Sequence, residues 1–208
     1  MKKRTIIAYV SLIIFVLITI LILTNNISSF DNYIYKIISN MRCDFLDSFM
    51  KLITSIGNTI PVLIILLIIM INLNYKNRTI LGTSMIITLI INQLIKYSIR
   101  RPRPPIEERL ISQGGYSFPS GHSMMSMCLY GVIIYLVSQN IKDKKIRHLV
   151  ISILVLLVLL IGLSRIYLRV HYPSDVLAGF LLTIFILISN ITFINNLFRG
   201  NNNEDVHK

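Results

Sequence analysis

Two histidines and one aspartate have the types and spacing needed to transfer a phosphoryl group. His171 precedes Asp175 by four residues, so on a helix the carboxylate can orient one ring nitrogen and leave the other as a nucleophile. His122 is a candidate general acid, which would protonate the leaving oxygen. The three residues therefore predict a phosphohistidine intermediate that water hydrolyses.

The candidate phosphate-binding residues are cationic or lie where a helix begins. Arg103 and Arg165 carry planar guanidinium groups that donate paired hydrogen bonds to phosphate oxygens, and Lys96 adds a compact positive charge. Ser120 and Gly121 open an apolar segment, where the free N–H groups and the dipole of a helix attract an anion. These donors would stabilise the charge on a phosphoryl group during its transfer.

The composition indicates that these residues are held in a membrane protein. Of the 208 residues, 54% are hydrophobic and only 14% are charged, which is far too apolar for a soluble domain. The net charge of +12 is explained by basic cytoplasmic loops, and no soluble basic domain is present that would bind nucleic acid. The two cysteines, Cys43 and Cys128, have neither disulfide-type nor metal-type spacing.

Long apolar runs separated by polar turns predict an all-α, polytopic bundle of six transmembrane helices with additional interfacial helices. A helix needs about 20 apolar residues to cross the hydrocarbon core of a bilayer. The predicted spans cover residues 5–24, 59–74, 79–98, 119–138, 149–168 and 173–197. The first is interpreted as a retained helix, not a removed signal peptide, because no small-residue cleavage site follows it. Residues 1–200 are predicted to form a single domain.

Two segments are predicted to lie outside the spans. In residues 30–57 apolar side chains recur every three or four positions among charged ones, which predicts helices that lie along the membrane interface and use one face for packing. The polar residues 201–208 are predicted to be a disordered tail.

Six crossings would place both termini on the side that carries the basic segments 75–78 and 141–148. Because cytoplasmic loops are enriched in Lys and Arg, this side is predicted to be cytoplasmic in a multi-pass cell-membrane protein. The loop 99–118 and the segment 164–175 then meet at the exterior, where the candidate site residues converge. Four arginines in the 99–118 loop contradict the charge bias, and an anionic ligand would explain them.

Other polar residues near the site are interpreted mainly as membrane anchors. Arg100, Arg101 and Arg109 are predicted to extend toward lipid headgroups, as cationic side chains at the ends of spans commonly do. Arg169 and Tyr172 flank the candidate nucleophile, and both contact with the substrate and headgroup anchoring remain open for them.

Three motifs in the chain resemble the signature motifs of the type 2 phosphatidic acid phosphatase (PAP2) superfamily. They are Lys96 with Arg103-Pro104, then Pro119-Ser120-Gly121-His122, and then Ser164-Arg165 with His171 and Asp175. The resemblance implies a phosphate site formed by Lys96, Arg103, Ser120, Gly121 and Arg165. It implies that His122 is the general acid, His171 the nucleophile and Asp175 its orienting partner. It also implies a site at the outer membrane face that needs no metal and no other cofactor.

The preferred hypothesis is an integral membrane phosphatase that hydrolyses a terminal phosphate from a lipid phosphate or diphosphate. The chain resembles undecaprenyl diphosphate phosphatases first, and then phosphatidylglycerophosphate and phosphatidate phosphatases. The motifs bind only the phosphate, so they do not select the lipid. Two alternatives remain open, which are a lipid phosphotransferase and a non-catalytic lipid-binding or transport protein. The expected partners are the substrate lipid and the bilayer, without nucleic acid.

Overall fold

Every regular element in the described part of the chain is a helix, which confirms the predicted all-α class. The computed structural model describes residues 2–204, with side chains described for residues 2–199. The helices are α1 (Lys2–Leu23), α2 (Ser28–Ser39), α3 (Asp44–Ile56), α4 (Thr59–Ile71), α5 (Tyr75–Ile99), α6 (Gly121–Asn140), α7 (Lys144–Tyr167) and α8 (Pro173–Glu204). A short 3₁₀ turn, Ile106–Glu108, lies in the loop between α5 and α6.

Five of these helices, α1, α5, α6, α7 and α8, are long and apolar enough to cross a membrane. The shortest of them has 20 residues, which corresponds to about 30 Å of helix. α3 and α4 meet the same criterion only as a pair, with a bend of 47° between them. The protein is therefore a polytopic helical bundle with five crossings, or six when the bent pair counts as one.

The second predicted span, residues 59–74, is longer than the helix that the structure shows. α4 has 13 residues, or about 20 Å of helix, so it does not cross the hydrocarbon core alone. It ends at Ile71 because Asn74 caps the next helix, where its side-chain oxygen accepts a hydrogen bond from the Asn77 N–H at 2.9 Å. A cap residue has extended backbone, which interrupts the preceding helix.

α2 and α3 form the predicted amphipathic segment, and each packs one face against the bundle. α2 buries Tyr35 and Ile38 against the connection between α7 and α8, and α3 buries Met50 and Ile53 against α7. The packing face predicted for this segment is therefore present. A carboxylate, Asp31, is also buried on α2, which is costly for a charged group without partners.

α8 is the central helix, because it packs against α1, α5 and α6. On one side its Leu182 packs with Phe15 of α1. On another side its backbone closely approaches the start of α6 at Gly179, where an added Cβ would lie only 3.2 Å from the Ser120 carbonyl oxygen. The absence of a side chain at Gly179 therefore allows the beginnings of α6 and α8 to lie side by side. Both helix beginnings carry predicted site residues.

The C-terminal residues 201–204 differ from the predicted disordered tail, because α8 continues to Glu204. Asparagine has a low helix propensity, but its cost is only about 0.5 kcal/mol per residue, and no proline interrupts the backbone hydrogen bonds here. The rest of the predicted tail, residues 205–208, lies outside the described residues.

Candidate active site

A cavity of about 440 Å³ lies between α4, α5, α6 and the loop that follows α5. Its polar wall includes Lys96, Arg103, Gln113, Gly121, His122 and His171. Its apolar wall includes Val62, Leu63, Leu89 and Met125. One cavity thus joins a cationic end to an apolar side.

His171 lies in the connection between α7 and α8, with only 1% of its surface exposed. Its Nε2 is 2.9 Å from Nη1 of Arg103, and its Nδ1 is 3.5 Å from Oδ2 of Asp175. A guanidinium group can only donate hydrogen bonds, so Nε2 must be the acceptor. The ring proton is therefore assigned to Nδ1, on the side of the carboxylate, and the Nε2 lone pair is on the side of Arg103.

The surroundings of His171 favour its neutral form. Burial, followed by the positive charges of Arg103, Arg165 and Lys96, lowers the pKa of His171 well below its usual value of 6.5. The residue lies outside the membrane-spanning helices. Because protonation would occupy the Nε2 lone pair, the low pKa keeps the ring in its nucleophilic form at neutral pH.

Arg103 is fixed by backbone carbonyls on two sides. Its Nε donates to the carbonyl oxygens of Gly114 at 3.1 Å and Gly115 at 2.9 Å, and its Nη1 donates to that of Val170 at 2.6 Å. Its Nη2 has no hydrogen-bond partner among the residues that the structure describes. A rigidly held guanidinium group on the cavity wall, with a nitrogen still free to donate, is suited to bind a phosphate oxygen.

Arg165 lies behind the cavity wall and is only 1% exposed. Its Nη1 donates to Oγ1 of Thr54 and its Nη2 to Oε1 of Gln113, both at 2.6 Å. Its Nε is buried without a partner in the described part of the chain. Gln113 forms the cavity wall here, and because its Oε1 accepts from Arg165, its amide group turns donors rather than an acceptor toward the remaining space.

The three remaining phosphate-binding candidates take different positions. Lys96, in the last turn of α5, lines the cavity and donates from Nζ to the Tyr116 carbonyl oxygen at 2.6 Å. Gly121 also lines the cavity as the first residue of α6. Ser120 is fully buried behind it, and its Oγ accepts hydrogen bonds from the Ser123 N–H at 3.4 Å and from the Ser123 hydroxyl at 2.9 Å. Ser120 therefore acts as a helix cap in this structure.

His122, the general-acid candidate, lines the same cavity as His171. Its Nε2 lies 2.9 Å from Oδ1 of Asn58, the residue that precedes α4. The bend between α3 and α4 makes this contact possible, because Gly57 has no side chain: an added Cβ would lie 2.8 Å from Ile161 and 3.2 Å from the His122 ring. The bent helix pair therefore orients the second histidine.

Asp175 is fully buried in the first turn of α8 and accepts from donors on both sides of its carboxylate. Its Oδ2 accepts from the Ser117 hydroxyl at 2.5 Å and from the Tyr172 N–H at 2.9 Å, and the same oxygen is near His171. Its Oδ1 accepts from Nη1 of Arg101 at 2.5 Å. The orienting partner predicted from the i,i+4 spacing is thus itself oriented by three further groups.

The predicted site residues form one cluster at one end of the bundle, in two layers. Five of them line the cavity, namely Lys96, Arg103, Gly121, His122 and His171. The other three, Ser120, Arg165 and Asp175, lie directly behind this wall and contact residues of the loop, α3 or α8.

Four residues at the site escaped the sequence-based prediction: Asp31, Arg101, Gln113 and Ser117. The interpretation of Arg101 as a headgroup anchor is wrong, because its side chain is only 12% exposed and forms ion pairs with Asp31 and Asp175. No motif marks these residues, since a buried ion pair across 70 positions of the chain leaves no local pattern. A carboxylate within an amphipathic helix was the one available signal for Asp31.

The neighbouring polar residues have structural roles. Arg109 holds the loop after α5 by donating to the carbonyl oxygens of Pro104 at 2.7 Å and Gln113 at 3.2 Å. Arg169 packs over the Tyr35 ring at 3.8 Å. Arg100, in contrast, is exposed, as expected for a residue at the membrane surface.

The donor set of the cavity suits an anion. Among the residues that the structure describes, no three His, Cys, Asp or Glu side chains converge as a metal-ion site would require. The polar wall instead combines a lysine, an arginine and the start of a helix, which attract phosphate.

Known proteins resemble this chain in sequence. A family model described as the PAP2 superfamily matches residues 78–199. A curated relative, phosphatidylglycerophosphatase B from Bacillus subtilis (strain 168), is 34% identical over 180 residues, which cover 82% of this chain and 87% of the relative.

Solved structures resemble it as well. The crystal structure of a transmembrane PAP2-type phosphatidylglycerolphosphate phosphatase from Bacillus subtilis matches with a TM-score of 0.79 and 29% identity, and the match covers 89% of this chain and 95% of that one. The structure of Aquifex aeolicus LpxE matches with a TM-score of 0.65 and 26% identity, over 77% of this chain and 93% of that one.

Proposed function

The chain belongs to the PAP2 superfamily and is a membrane lipid phosphatase, and we propose that it dephosphorylates phosphatidylglycerophosphate through a phosphohistidine on His171. The observation that carries the chemistry is the buried, neutral His171 beside Arg103 and against Asp175. The similarity to phosphatidylglycerophosphatase B supports the lipid. This similarity favours phosphatidylglycerophosphate, the second lipid named from the sequence, over undecaprenyl diphosphate, the first.

In the first step, Nε2 of His171 attacks phosphorus, so the N–P bond forms while the P–O bond to the lipid breaks. His122 gives a proton to the leaving lipid oxygen, and Asp175 stabilises the positive charge that develops on the attacking ring. In the second step, water gives a proton to His122 and attacks the phosphohistidine. The N–P bond then breaks, which releases inorganic phosphate and restores neutral His171.

Substrate binding requires one hydrogen bond to be exchanged. Arg103 donates to Nε2 of His171 at 2.9 Å, so its N–H occupies the lone pair that must reach phosphorus. A phosphate oxygen is a stronger, charged acceptor than an imidazole nitrogen. The incoming phosphate would therefore draw this N–H away and expose the nucleophile, while Lys96 and the start of α6 bind the other oxygens.

The apolar wall of the cavity supports a lipid substrate. Val62 and Leu63 of α4 face this space together with Leu89 of α5 and Met125 of α6. A phospholipid could keep its chains against this wall while its phosphate reaches the cationic end, as ligand sites with few polar groups in apolar surroundings typically allow. From the charge of the loops, we infer that this end faces the exterior and that both termini are cytoplasmic.

The substrate is tested by assaying the purified protein with phosphatidylglycerophosphate, undecaprenyl diphosphate and phosphatidate under identical detergent conditions. The expected result is the highest kcat/KM for phosphatidylglycerophosphate, with release of free inorganic phosphate. A higher value for another lipid would overturn the substrate, but not the phosphatase activity. Transfer of labelled phosphate to a second lipid or to a sugar, instead of water, would support the phosphotransferase alternative.

The Gln113→Glu variant is expected to bind substrate more weakly. The new carboxylate would take the place of an amide that accepts from Arg165 at 2.6 Å, so it would neutralise that guanidinium and repel the phosphate. KM should rise about tenfold or more, with a smaller change in kcat. The control is Gln93→Glu, the same change on the α5 wall of the cavity. An equal rise of KM in both variants would contradict a specific role for Gln113.

Chelation of divalent metal ions is expected to leave the activity unchanged. The proposed reaction places its positive charge in Lys96, Arg103 and Arg165, and these residues need no metal to bind phosphate. The measurement is kcat/KM with phosphatidylglycerophosphate before and after dialysis against EDTA. A loss of activity that one divalent cation restores would contradict the proposal.

A further inference from the structure

A buried arginine links the catalytic carboxylate to the amphipathic helix α2. Nη1 of Arg101 donates to Oδ1 of Asp175 at 2.5 Å, and its Nη2 donates to Oδ2 of Asp31 at 2.7 Å. The Asp31 and Asp175 side chains are at most 2% exposed, and that of Arg101 is 12% exposed. Three charged groups from three separate segments thus share one buried site.

The guanidinium group of Arg101 is held in a fixed orientation. Nη1 also donates to the Ser174 hydroxyl at 2.8 Å, and Cζ of Arg101 lies 4.1 Å from the centre of the Tyr172 ring. Asp31 is fixed in turn by Ser174, whose N–H and hydroxyl donate to it at 2.9 and 2.8 Å. Such a network tolerates little rotation of either carboxylate.

The two oxygens of Asp175 have separate partners. Oδ2 is the oxygen near His171 and also accepts from Ser117 and Tyr172. The other oxygen, Oδ1, has Arg101 as its charged partner. Arg101 therefore helps Ser117 and Tyr172 to fix the rotation of the carboxylate, and with it the distance between Oδ2 and the ring.

The charge balance explains why a second carboxylate is present. Arg101 alone, at 2.5 Å, would neutralise much of the field that Asp175 exerts on His171. Asp31 shares the positive charge of Arg101, so one positive and two negative groups leave one net negative charge beside the imidazole. That charge is what stabilises a ring that becomes positive when it attacks phosphorus.

We propose that Arg101 and Asp31 are positioning residues of the phosphatase reaction, which hold the Asp175 carboxylate against His171 and preserve its negative charge. The inference rests on the proposed role of His171 as the nucleophile. It assigns a function to α2, because Asp31 connects this helix to the reacting groups.

The first experiment compares Arg101→Gln and Arg101→Lys with the control Arg100→Gln, which makes the same change at the exposed neighbouring arginine. Arg101→Gln is expected to lower kcat about 10- to 100-fold with KM changed less than about threefold. The reason is that the phosphate contacts stay intact while Asp175 is misplaced relative to His171. Arg101→Lys should recover part of the loss, and Arg100→Gln should behave as the wild type. Wild-type kcat in Arg101→Gln would overturn the proposal.

The second experiment measures the charge effect directly, by titrating His171 with ¹⁵N-histidine NMR in detergent. The chain has four histidines, and the signal of interest is the one that His171→Asn removes. The titratable or charged groups facing His171 are Arg103, Arg165, Lys96, His122 and Asp175, and its carbonyl oxygen accepts from the Tyr35 hydroxyl. None of these changes in the variants.

The two positioning residues are expected to shift the titration in opposite directions. Arg101→Gln removes a positive charge, so protonation becomes easier and the pKa of His171 rises. Asp31→Asn removes a negative charge at constant size, so the pKa of His171 falls further below 6.5. A purely structural role would not produce opposite shifts. Equal shifts, or none, in the two variants would overturn the charge part of the proposal.

Two features keep the outcomes distinct. Asp31→Asn and Arg101→Lys conserve size and hydrogen-bond donors or acceptors, so at least one variant should elute as a single species if Arg101→Gln does not fold. The NMR titration needs no substrate. If His171→Asn retained turnover, the proposed function would fail, whereas the opposite pKa shifts would still report on the coupling between Arg101, Asp31 and Asp175.

Discussion

Replacing His171 with asparagine is expected to reduce kcat at least about 10⁴-fold, since removal of a nucleophile leaves only substrate binding and electrostatic stabilisation. Asparagine keeps a polar side chain of similar size in this buried position, but its amide nitrogen has no lone pair that could attack phosphorus. The reaction would then depend on direct attack by water, without the ring nitrogen that lies 2.9 Å from Arg103 in the wild type.

The measurement combines turnover with trapping of the intermediate. Wild-type protein that is quenched during turnover of ³²P-labelled phosphatidylglycerophosphate should carry acid-labile, base-stable label, and His171→Asn should carry none. His148→Asn is the control, because His148 is exposed in the first turns of α7, at the opposite end of this helix from Arg165. Label that persists in His171→Asn, or that maps to His122, would assign the nucleophile elsewhere.

Replacing Asp175 with asparagine is expected to reduce kcat about 10³- to 10⁴-fold, as in other enzymes where a carboxylate orients a catalytic histidine. The carboxylate accepts from Arg101 on one oxygen and from Ser117 and Tyr172 on the other. An amide has one acceptor oxygen, so donors on one side would face its N–H₂ group. The loss of charge also removes the stabilisation of a positively charged His171.

The readout that separates these effects from unfolding is the tautomer of His171. In the wild type, the ¹⁵N shifts should show the proton on Nδ1. Asp175→Asn should raise the population of the tautomer with the proton on Nε2 only in part, because Arg103 still donates to Nε2. Asp44→Asn, a change at an exposed position in the first turn of α3, should leave both kcat and the tautomer as they are. A wild-type tautomer together with wild-type kcat in Asp175→Asn would contradict the proposal that Asp175 orients His171.

The bent pair α3 and α4 shows why one span was predicted with the wrong length. The apolar composition of residues 59–74 is what a crossing requires, but Asn74 starts α5 and limits α4 to 13 residues. The bend at Gly57 then brings Asn58 to His122. A hydropathy pattern reports how apolar a segment is and contains no information about such a bend.

Arg100, Arg101 and Arg103 illustrate how far the sequence alone could predict the site. All three belong to one short run of the sequence, yet Arg100 is exposed, Arg101 is buried against Asp31 and Asp175, and Arg103 lines the cavity. The divergence follows from the left-handed backbone of Arg100, with φ of 53°, which ends α5 and turns the chain inward. An arginine at position 100 does not predict this turn, because glycine is the residue that usually marks a left-handed helix end.

The sequence alone determined the membrane bundle and the candidate reacting residues of this protein. Helix-length apolar runs follow directly from the thickness of the bilayer. The histidines, the carboxylate and the cations are recognised by their residue types and by their short spacings within each motif, which can be read without knowledge of the tertiary structure. Only the tertiary structure decided which groups line the cavity, which stand behind it, and that Asp31 and Arg101 support Asp175. Those contacts join segments far apart in the chain, so they depend on how the helices pack and on where the backbone turns.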